Sequence, residues 1–530
     1  MTARVGTRVW APRARRVEVV VGDQRHAMTP VEDGWHALDD DVELAPGTDY
    51  AFALDGGEPL PDPRSHHQPS GVFGPSRVVD HGAFAWTDDD WRGVPLRGSV
   101  VYELHIGTFS DEGTFDGAIG HLDHLVDLGI DIVEVMPVNA FDGERGWGYD
   151  GVLPYAVHEP YGGPDGFKRF VDAAHGRGLG VVLDVVYNHF GPTGNHLGRF
   201  GPYTSDRHQT PWGDAVNLDG PDSAAVRRYF LDNAQHWLRH YHLDGLRLDA
   251  VHQLIDESEH HLLRELTEEV EALAAHVHRP LSLIAEYPRT EPMAVTAREA
   301  GGHGLTAIWS DELHHAVHAL LTGERDGYYA DFGEVDDVVA ALRGPKDDLP
   351  RDRFVVCTQN HDQVGNRARG DRLVHLVGAD AAKVAAAVVL WSPCTPMLWM
   401  GEEWAASTPF PYFAGPRDPE LDDAVRRGRR DEFAAFGWDP SEIPDPVDEA
   451  TARAARLRWD ERDDGAHASM LDWYRRLLQL RRAHAELTDP RPASIDVQVD
   501  GRALIVRRGS CTLRADLDRH TVDLDLGLDG

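Results

Sequence analysis

The amino-acid sequence predicts an α/β fold in which a (β/α)8 barrel of the TIM type lies between an N-terminal β-sandwich and a small C-terminal β-domain. Eight strand patterns that alternate with amphipathic helix patterns predict the barrel, because parallel strands need crossover helices. Patterns of short strands without helices flank this region on both sides. The length of 530 residues suits a large barrel with small appendages. The expected domains are residues 1–92, 93–487 and 488–530.

Short alternating strands are predicted in the N-terminal region, over residues 7–21 and 35–54. Glycine, proline and aspartate interrupt these strands, as is typical of small antiparallel sandwiches. The turn-rich run 61–76 marks the end of the sandwich. A similar strand pattern returns in residues 493–526, after a last amphipathic helix over residues 469–485, and predicts the C-terminal β-domain.

The region between them repeats the order strand, loop, helix. The predicted strands are apolar runs over residues 100–106, 130–137, 179–187, 245–249, 281–286, 305–310, 354–358 and 396–400. The predicted helices between them include residues 115–128, 164–177, 223–240, 255–276 and 380–390. Eight parallel strands with crossover helices close most simply into a barrel.

Composition and charge restrict the class of function. Apolar residues make up 42% of the sequence, and its 14 tryptophans add to an ample core. The 52 basic and 89 acidic residues give a formal net charge of −37, which argues against nucleic acid and anionic membranes as partners. A neutral substrate is the natural expectation.

The cysteines and the hydropathy pattern indicate a cellular compartment. Cys357, Cys394 and Cys511 lie far apart in apolar surroundings, which predicts reduced core residues of a cytosolic protein. Residues 1–12 contain no apolar signal core, and no later run looks long enough to span a bilayer. We therefore expect a cytoplasmic protein that is neither secreted nor bound to a membrane.

Polar side chains follow four of the predicted strands, where barrel enzymes carry their chemistry. They are Asn188 and His189 after the third strand, Arg247 and Asp249 at the fourth, Glu286 after the fifth, and Asn360, His361 and Asp362 after the seventh. Each alone is weak evidence, because an Arg-x-Asp is usually a structural ion pair and an Asn or His after a strand is usually a turn residue. Three carboxylates that converge on one barrel mouth repel one another, so packing does not explain them.

Two of these carboxylates are expected to differ in protonation. The Arg247 cation beside Asp249 favours the ionised acid, so Asp249 is a candidate nucleophile. Glu286 emerges from the apolar run Leu283-Ile284-Ala285, and partial desolvation beside other acids should keep it a proton donor. One charged and one protonated carboxyl group are the equipment of glycoside hydrolysis, and a separation of about 5 Å implies retention of configuration.

The four motifs 184–189, 245–252, 284–286 and 360–362 resemble, in order and spacing, the four motifs of the α-amylase family of glycoside hydrolases. The resemblance implies a retaining mechanism on α-glucosidic bonds, with Asp249 as nucleophile, Glu286 as acid/base and Asp362 as stabiliser of the transition state. It also implies a set of substrate-binding residues that comprises Tyr149, which stacks on the sugar, His189, Arg247, His252, His361, Gln363 and Asn366.

Further segments narrow the resemblance to trehalose-releasing members of this family. These segments are residues 147–151, 161–165, 188–192 and 400–410, and the N-terminal sandwich is similar as well. The resemblance implies hydrolysis of the α-1,4 bond next to the terminal trehalose unit of maltooligosyltrehalose, and cooperation with a synthase that forms this substrate. The segment 309–315 resembles a substrate-contacting loop, which makes Asp311, His314 and His315 candidates; the alternative is an ordinary polar loop.

The sequence departs from calcium-dependent amylases after the third strand. Residues 190–217 are short and contain only scattered carboxylates, with Asp219 just beyond them, whereas calcium needs roughly six to eight oxygen ligands. We therefore expect neither a metal nor another cofactor. Asn188 is then expected to be a sugar-side or structural hydrogen-bond donor.

Three functions remain open at this level. The first is the trehalose-releasing hydrolase, and the second is a glycogen branching enzyme or another α-glucan transglycosylase, which shares the catalytic residues. The third is a non-catalytic starch-binding protein, which gives no reason to crowd three acids together. For the hydrolase, the loop after the sixth strand and the loop after the eighth, with Glu402, Glu403 and Trp404, are the expected walls of a trehalose-selective pocket.

Overall fold

The computed structural model of the chain describes residues 6–39, 42–344, 349–415, 419–434 and 443–527. Its centre is a closed barrel of eight parallel strands, in which each strand pairs with the next and the eighth pairs with the first. The strands are β1 Val101–Leu104, β2 Ile132–Val135, β3 Gly180–Val185, β4 Gly245–Leu248, β5 Ser282–Ala285, β6 Ala307–Trp309, β7 Phe354–Cys357 and β8 Thr395–Trp399. The predicted barrel is confirmed. The first seven strands lie within their predicted runs, and β8 begins one residue before the run predicted over residues 396–400.

The barrel strands are buried along their whole length, as expected for a parallel sheet covered by helices on its outer face. Side chains that point into the barrel form a separate apolar cluster, which includes Val101, Ile132, Val182, Ile284, Val355 and Met397. Leu96, which precedes β1, packs into the same cluster. The barrel interior is therefore filled with side chains and leaves the carboxyl-terminal mouth as the place for a site.

Helices cover the outside of the barrel. They span Phe115–Ile119, Leu122–Leu128, Gly163–His175, Ser223–His240, Leu262–Val277, Glu312–Thr322, Val335–Arg343, Leu373–Trp391 and Gly465–Ala483. Further helices span Ile106–Phe109, Leu197–Phe200, Pro292–Val295, His361–Gly365, Pro419–Ala434 and Glu449–Ala454.

Several predicted helices differ from the structure in their bounds, and the one predicted over 380–390 begins already at Leu373. The helix predicted over 115–128 is two helices, separated at Gly120. The helix predicted over 255–276 begins only at Leu262, because the Asp256 carboxylate accepts the Leu262 N–H at 2.7 Å and pairs with Arg227 at 2.7 Å. This contact holds residues 255–261 as an irregular segment beside the barrel.

The helix Leu373–Trp391 corrects the expectation that no run of the sequence is long enough to span a bilayer. With 19 residues and a mean hydropathy of 1.8 it has the length and composition of a membrane span, which the sequence analysis did not anticipate. In the fold, Gly378 interrupts it with a φ of 79°. The helix packs against the helix Gly465–Ala483, the helix Glu312–Thr322 and the C-terminal sheet.

Two antiparallel sheets precede the barrel and confirm the predicted sandwich. Their strands are Arg8–Trp10, Val17–Val21, Gln24–Ala27, Thr29–Pro30, Trp35–Ala37, Asp49–Leu54, Pro59–Leu60 and Ser76–Arg77. Trp10 packs edge-on against Tyr203 of the barrel region, with ring centroids 5.3 Å apart. Arg64 in the following segment donates hydrogen bonds to Tyr155 at 3.0 Å and to Asp232 at 2.8 Å, which joins the sandwich side to the barrel.

A four-stranded antiparallel sheet follows the barrel, with strands Asp496–Asp500, Ala503–Arg508, Cys511–Asp516 and Thr521–Asp525. The buried Arg508 side chain attaches this sheet to the barrel by donating hydrogen bonds to the carbonyl oxygens of Trp391, Glu486 and Asp489. All three cysteines are buried free thiols, as predicted.

Two hairpins extend the loops at the barrel mouth. One pairs Asn139–Ala140 with Leu153–Val157 after β2, and the other pairs Thr204–Thr210 with Gly213–Val216 after β3. The second hairpin lies within the segment 190–217 that the sequence analysis treated as a short loop. Its turn carries Trp212 beside the site described next.

Candidate active site

One fully buried guanidinium stands at the centre of the barrel mouth. Arg247, on β4, donates from Nη1 to Asp184 Oδ2 at 2.7 Å and to Asp249 Oδ1 at 2.9 Å. Its Nη2 forms an ion pair with Glu286 Oε2 at 2.9 Å, and the guanidinium lies 4.0 Å from the centre of the Trp309 ring. A single cation thus holds three carboxyl groups from β3, β4 and β5 in one cluster.

Asp249 follows directly after β4, where its N–H donates to Val185 O at 3.1 Å. The predicted contact between Asp249 and Arg247 is present. Asn188 is a second donor to Asp249, because its Nδ2 donates to Asp249 Oδ2 at 2.6 Å and to the Asp249 carbonyl oxygen at 2.8 Å. Asn188 is therefore a structural donor that orients Asp249. Two donors on opposite oxygens fix the direction in which this carboxylate faces the mouth.

Glu286 follows β5 and has a perturbed acidity. Burial raises the pKa of its carboxyl group to about 8, and the nearby Asp249 and Asp362 carboxylates add to this rise while Arg247 opposes it. The N–H of Ala250, a residue with a left-handed φ of 39°, donates to Glu286 Oε2 at 2.7 Å. A strained alanine beside the acids is typical of a functional site. At neutral pH Glu286 therefore carries a proton that it can donate.

Asp362 and His361 lie in the first turn of the helix His361–Gly365. Asn366 Nδ2 donates to Asp362 Oδ1 at 3.1 Å, and Asp362 Oδ2 lies 3.5 Å from His361 Nε2. Burial opposes the charged imidazole, but the Asp362 and Glu103 carboxylates outweigh it and raise the pKa of His361 to about 10. His361 is a cation at neutral pH, which offsets the charge of Asp362.

Tyr149 connects the acids around Arg247 with His361. Its hydroxyl donates to Asp184 Oδ2 at 2.6 Å and lies 2.9 Å from His361 Nε2, and its half-buried ring packs on the His361 ring. The edge of the ring that remains accessible is the part available to a sugar. The structure therefore gives Tyr149 a positioning contact in addition to the stacking role that the resemblance implies.

His189 and Trp212 form a second aromatic surface at the mouth. The rings are parallel within 6° and their centroids are 4.4 Å apart, while His189 Nε2 lies 3.1 Å from the Tyr149 carbonyl oxygen. The Trp212 side chain is 52% exposed. Sequence reasoning missed this residue, although an apolar Trp in a polar hairpin turn is the kind of signal that marks a sugar platform.

A cavity of about 410 Å³ opens on the other side of Glu286 and Asp362. Besides Glu286 and Asp362, four of the predicted substrate-binding residues line it, namely Asp311, His315, Gln363 and Asn366. Gln363 Nε2 donates to Asp311 Oδ1 at 3.2 Å. Burial raises the pKa of Asp311 to about 7, with the Asp362 and Glu312 carboxylates adding to the rise.

The far wall of this cavity consists of residues that the sequence analysis did not identify: Glu324, Asp326, Tyr328, Tyr329 and Arg367. Arg367 makes a bidentate ion pair with Glu324, at 2.7 and 2.9 Å. The Tyr328 side chain is 62% exposed and lies parallel to the His315 ring at 6.1 Å. A charged pair and aromatic rings in the lining suit a small polar ligand with apolar faces.

Several residues named from the sequence do not line this cavity. His314 is buried. Its Nδ1 lies 2.6 Å from the Thr358 carbonyl oxygen and its Nε2 lies 3.1 Å from the Tyr329 hydroxyl. Helix geometry explains the error, because His314 and His315 are neighbours on the helix Glu312–Thr322 and point in different directions. His252 is exposed, on a short 3-10 helix after Asp249, and its closest aromatic neighbour is Tyr287 at 6.4 Å.

The loop after β8 is likewise part of the core and not a wall. Glu402 binds Thr358, Gln359 and Tyr474, and burial raises the pKa of its carboxyl group to about 8. Glu403 is hydrogen-bonded by Tyr102 and His124, and Trp404 is fully buried. Buried carboxyl groups need such partners, and these partners leave none of the three side chains free to contact a ligand.

Among the described residues near the mouth, His208, Asp219 and Glu257 are close enough together to share a metal ion. Arg207 already pairs with both carboxylates of this group, at 3.7 Å to Asp219 and 2.8 Å to Glu257. The Arg247 guanidinium likewise contacts Asp184, Asp249 and Glu286. Arginine thus supplies positive charge in both places.

The chain is similar to proteins of known family along nearly its whole length. The family model of the alpha-amylase catalytic domain matches residues 82–201. A malto-oligosyltrehalose trehalohydrolase from Arthrobacter ramosus is 53% identical over 496 residues, which are 89% of this chain and 86% of the relative. The enzyme of the same name from Mycobacterium tuberculosis is 47% identical over 537 residues, which are 96% of this chain and 92% of the relative.

A crystal structure from Salmonella typhimurium, described as that of a candidate alpha-amylase, has the same fold. It superimposes with a TM-score of 0.88 at 40% identity and covers 96% of this chain and 90% of its own. The barrel, the flanking sheets and the acid cluster at the mouth agree with these similarities. The chain belongs to the malto-oligosyltrehalose trehalohydrolases, a family of glycosidases within the alpha-amylase fold family.

Proposed function

We propose that the protein hydrolyses the α-1,4-glucosidic bond next to the terminal trehalose unit of maltooligosyltrehalose and releases trehalose. The observation that carries this proposal is the Arg247 guanidinium, which holds the Asp249 carboxylate and the protonated Glu286 side by side at the barrel mouth. Two carboxyl groups in different protonation states are what glycoside hydrolysis requires. The names of the relatives are the reason for proposing a substrate that ends in a trehalose unit.

In the first step Asp249 attacks the anomeric carbon of the glucose that precedes the trehalose unit. As the glycosidic carbon–oxygen bond breaks, Glu286 transfers its proton to the leaving oxygen, and a covalent glycosyl–Asp249 ester forms. Hydrogen bonds from Asn188 and Arg247 orient the attacking carboxylate toward the anomeric carbon. Asp362, held by Asn366, faces the reacting sugar and stabilises its developing positive charge.

In the second step the Glu286 carboxylate accepts a proton from water, and the resulting hydroxide oxygen attacks the anomeric carbon of the ester. The bond to Asp249 breaks, and both carboxyl groups return to their starting protonation states. Two inversions give net retention. Transglycosylases use the same first step, so the reaction is hydrolysis only when water and not a sugar hydroxyl reaches the ester.

The cavity beside Glu286 is the proposed site for the trehalose unit. Its position fits a leaving group, because the acid that protonates the glycosidic oxygen lines its entrance. Asp311 and the Glu324–Arg367 pair offer hydrogen-bond acceptors and donors to sugar hydroxyls, and Tyr328 offers a flat ring. Trp212 and His189 lie outside this cavity, where the remaining glucan chain can stack.

The substrate also implies a partner reaction. Maltooligosyltrehalose arises when the reducing end of a maltooligosaccharide is converted into a trehalose unit, so we propose that the protein functions after a synthase of that class. Three buried free thiols suit a reducing compartment, and the proposed location is the cytoplasm.

Product analysis distinguishes hydrolysis from the transglycosylation alternative. Purified protein is incubated with maltooligosyltrehalose, and the products are separated by anion-exchange chromatography. We expect trehalose and a maltooligosaccharide shortened by the trehalose unit, in equal amounts. New α-1,6 branches or longer chains would instead identify a branching enzyme or another transglycosylase, and unchanged substrate would identify a binding protein.

A further inference from the structure

Four histidines meet on the outside of the barrel, away from the acid cluster. His66 and His81 belong to the segment between the sandwich and the barrel, and His236 and His240 to the last two turns of the helix Ser223–His240. His81 Nε2 lies 3.0 Å from His66 Nδ1, the His66 and His236 ring centroids are 4.1 Å apart, and the His81 and His240 rings are stacked at 4.4 Å. We call these four residues the histidine cluster.

Two imidazole nitrogens of the cluster have no hydrogen-bond partner among the described residues. His236 is 4% exposed, and its Nε2 lies 3.1 Å from the Tyr155 carbonyl oxygen, so the ring proton is on Nε2 and Nδ1 carries a lone pair. Among the described residues, neither His236 Nδ1 nor His81 Nδ1 has a hydrogen-bond partner. A buried acceptor without a partner is costly, and each such group requires an explanation.

This arrangement matches that of metal-binding histidines. A histidine that binds a metal through one nitrogen commonly donates its other N–H to a backbone carbonyl, which fixes the tautomer and the ring orientation. His236 is held in this way by Tyr155. One ligand nitrogen from each of His66, His81 and His236 lies within 4.8 Å of the other two, so small side-chain movements bring all three to a common ion.

The charge state of the cluster agrees with this role, since a metal needs neutral imidazole. Burial lowers the pKa of His66 to about 3 and that of His240 to about 4. Three cations lie near enough to contribute. Arg64 is compensated by Asp232 at 2.8 Å, the Nζ of the buried Lys168 lies over the Phe84 and Tyr241 rings, and Arg239 acts on His240. Burial lowers the pKa of Lys168.

We propose that His66, His81 and His236 bind one divalent transition-metal ion, for which Zn²⁺ is the best match because it accepts imidazole ligands in tetrahedral geometry. A water molecule is available as the fourth ligand. The ion joins the segment after the sandwich to the helix Ser223–His240. This helix ends with His236 and His240 before the amino end of β4, whereas the catalytic acids follow the carboxyl ends of the strands, so the role is structural.

Zinc binding is measured on the full-length protein after removal of metal with a chelator. Titration with ZnCl2 by isothermal calorimetry is expected to show one saturable site and a raised melting temperature. His236→Gln and His81→Gln each remove one ligand. We expect them to weaken Zn²⁺ binding more than the roughly 10- to 100-fold that loss of a ligand's hydrogen-bond partner costs.

Two matched histidine variants serve as controls, because the described residues include two other groups with metal-ligand spacing. His208→Gln tests the group with Asp219 and Glu257, and His484→Gln tests the group with Glu486 and Cys511. Both are expected to leave the affinity unchanged. All four variants are expected to retain the activity of the parent protein, which verifies that they fold.

The proposal is overturned if no saturable Zn²⁺ site exists, if His236→Gln and His81→Gln bind as tightly as the parent, or if a control variant abolishes binding. A Co²⁺ titration of the unaltered protein gives an answer that does not depend on any variant. Tetrahedral Co²⁺ with nitrogen ligands supports the histidine cluster. A thiolate-to-cobalt charge-transfer band would place the ion at Cys511 and contradict the proposal.

Discussion

At the residue scale, Arg247 organises the proposed chemistry. It contacts Asp184, Asp249 and Glu286, and it is fully buried, so its charge is poorly screened by solvent. Asn188 adds a second donor to Asp249, whereas Glu286 receives one backbone N–H and lies beside two other acids. The same guanidinium thus serves a carboxyl group that attacks and one that donates a proton.

Replacing the proposed nucleophile tests this arrangement. Asp249→Ala is expected to lower kcat to less than about a hundredth of its value, because no other carboxylate is placed to form the ester. The melting temperature should change little, since Asp249 lies at the barrel mouth and Arg247 keeps two other partners. Asp518→Ala, in the C-terminal sheet, is the matched control. Activity above a hundredth in Asp249→Ala contradicts the assignment.

The acidity of Glu286 predicts a pH profile. The protonated form is active as the acid, and burial raises its pKa to about 8, so kcat/KM should fall as the pH rises through about 8. His361, with a pKa raised to about 10, remains charged as the pH passes through about 8. The profile is measured on maltooligosyltrehalose between about pH 5 and 9. An alkaline fall at the same pH in Glu286→Gln, on its residual activity, would assign the titration to another group.

At the element scale, the barrel was predictable and the cavity wall was not. Each barrel strand is a local apolar run bounded by turns, so its pattern can be read without knowing its neighbours. The Glu324–Arg367 pair instead joins positions 43 residues apart, on two loops that no local pattern relates. The bounds of the helix Leu262–Val277 depend in the same way on Asp256, whose partner Arg227 lies on another helix.

Histidine positions on one helix illustrate the same limit. The segment 309–315 was predicted to contact substrate, and two of its residues, Asp311 and His315, line the cavity. Which side chains face the cavity depends on how the helix Glu312–Thr322 packs, and His314 packs inward against Thr358 and Tyr329. For Glu402 and Glu403, the sequence indicated polar wall residues, but their partners Tyr474, Tyr102 and His124 come from distant segments.

The loop after β6 is expected to determine selectivity for the trehalose end. Asp311→Ala should lower kcat/KM on maltooligosyltrehalose far more than on plain maltooligosaccharide, so that the ratio falls about tenfold or more. The variant leaves the sugar hydroxyl that Asp311 would bind without its acceptor, and such a loss costs about 1 to 3 kcal/mol, which accounts for a change of this size. Asp331→Ala, an exposed residue paired with Arg289, is the control. Equal losses on both substrates would assign Asp311 a general binding role.

At the scale of the whole molecule, arginine and histidine supply the positive charge that an acidic chain needs at its site. The chain has a net charge of −37, yet Arg247 and His361 lie among the proposed catalytic acids, and Arg367 lines the cavity. Such a site suits a neutral sugar held by hydrogen bonds and ring contacts. It also has cations of its own in the place where a metal ion would act.

Chelation tests the independence of catalysis from metal. Incubation with EDTA followed by assay is expected to leave kcat and KM unchanged, and added calcium is expected to have no effect. The melting temperature reports the proposed zinc site separately, because the histidine cluster lies away from the barrel mouth. A large loss of activity that calcium restores would contradict the account of the active site and leave the proposal for the cluster unaffected.

The central claim is that Asp249 and Glu286 release trehalose by a retaining double displacement. A proton NMR time course of maltooligosyltrehalose hydrolysis observes the anomer of the new reducing end before mutarotation, together with the released disaccharide. The account predicts that the α-anomer of the shortened maltooligosaccharide appears first, with an equal amount of trehalose. Initial formation of the β-anomer, or of a reducing disaccharide in place of trehalose, would contradict it.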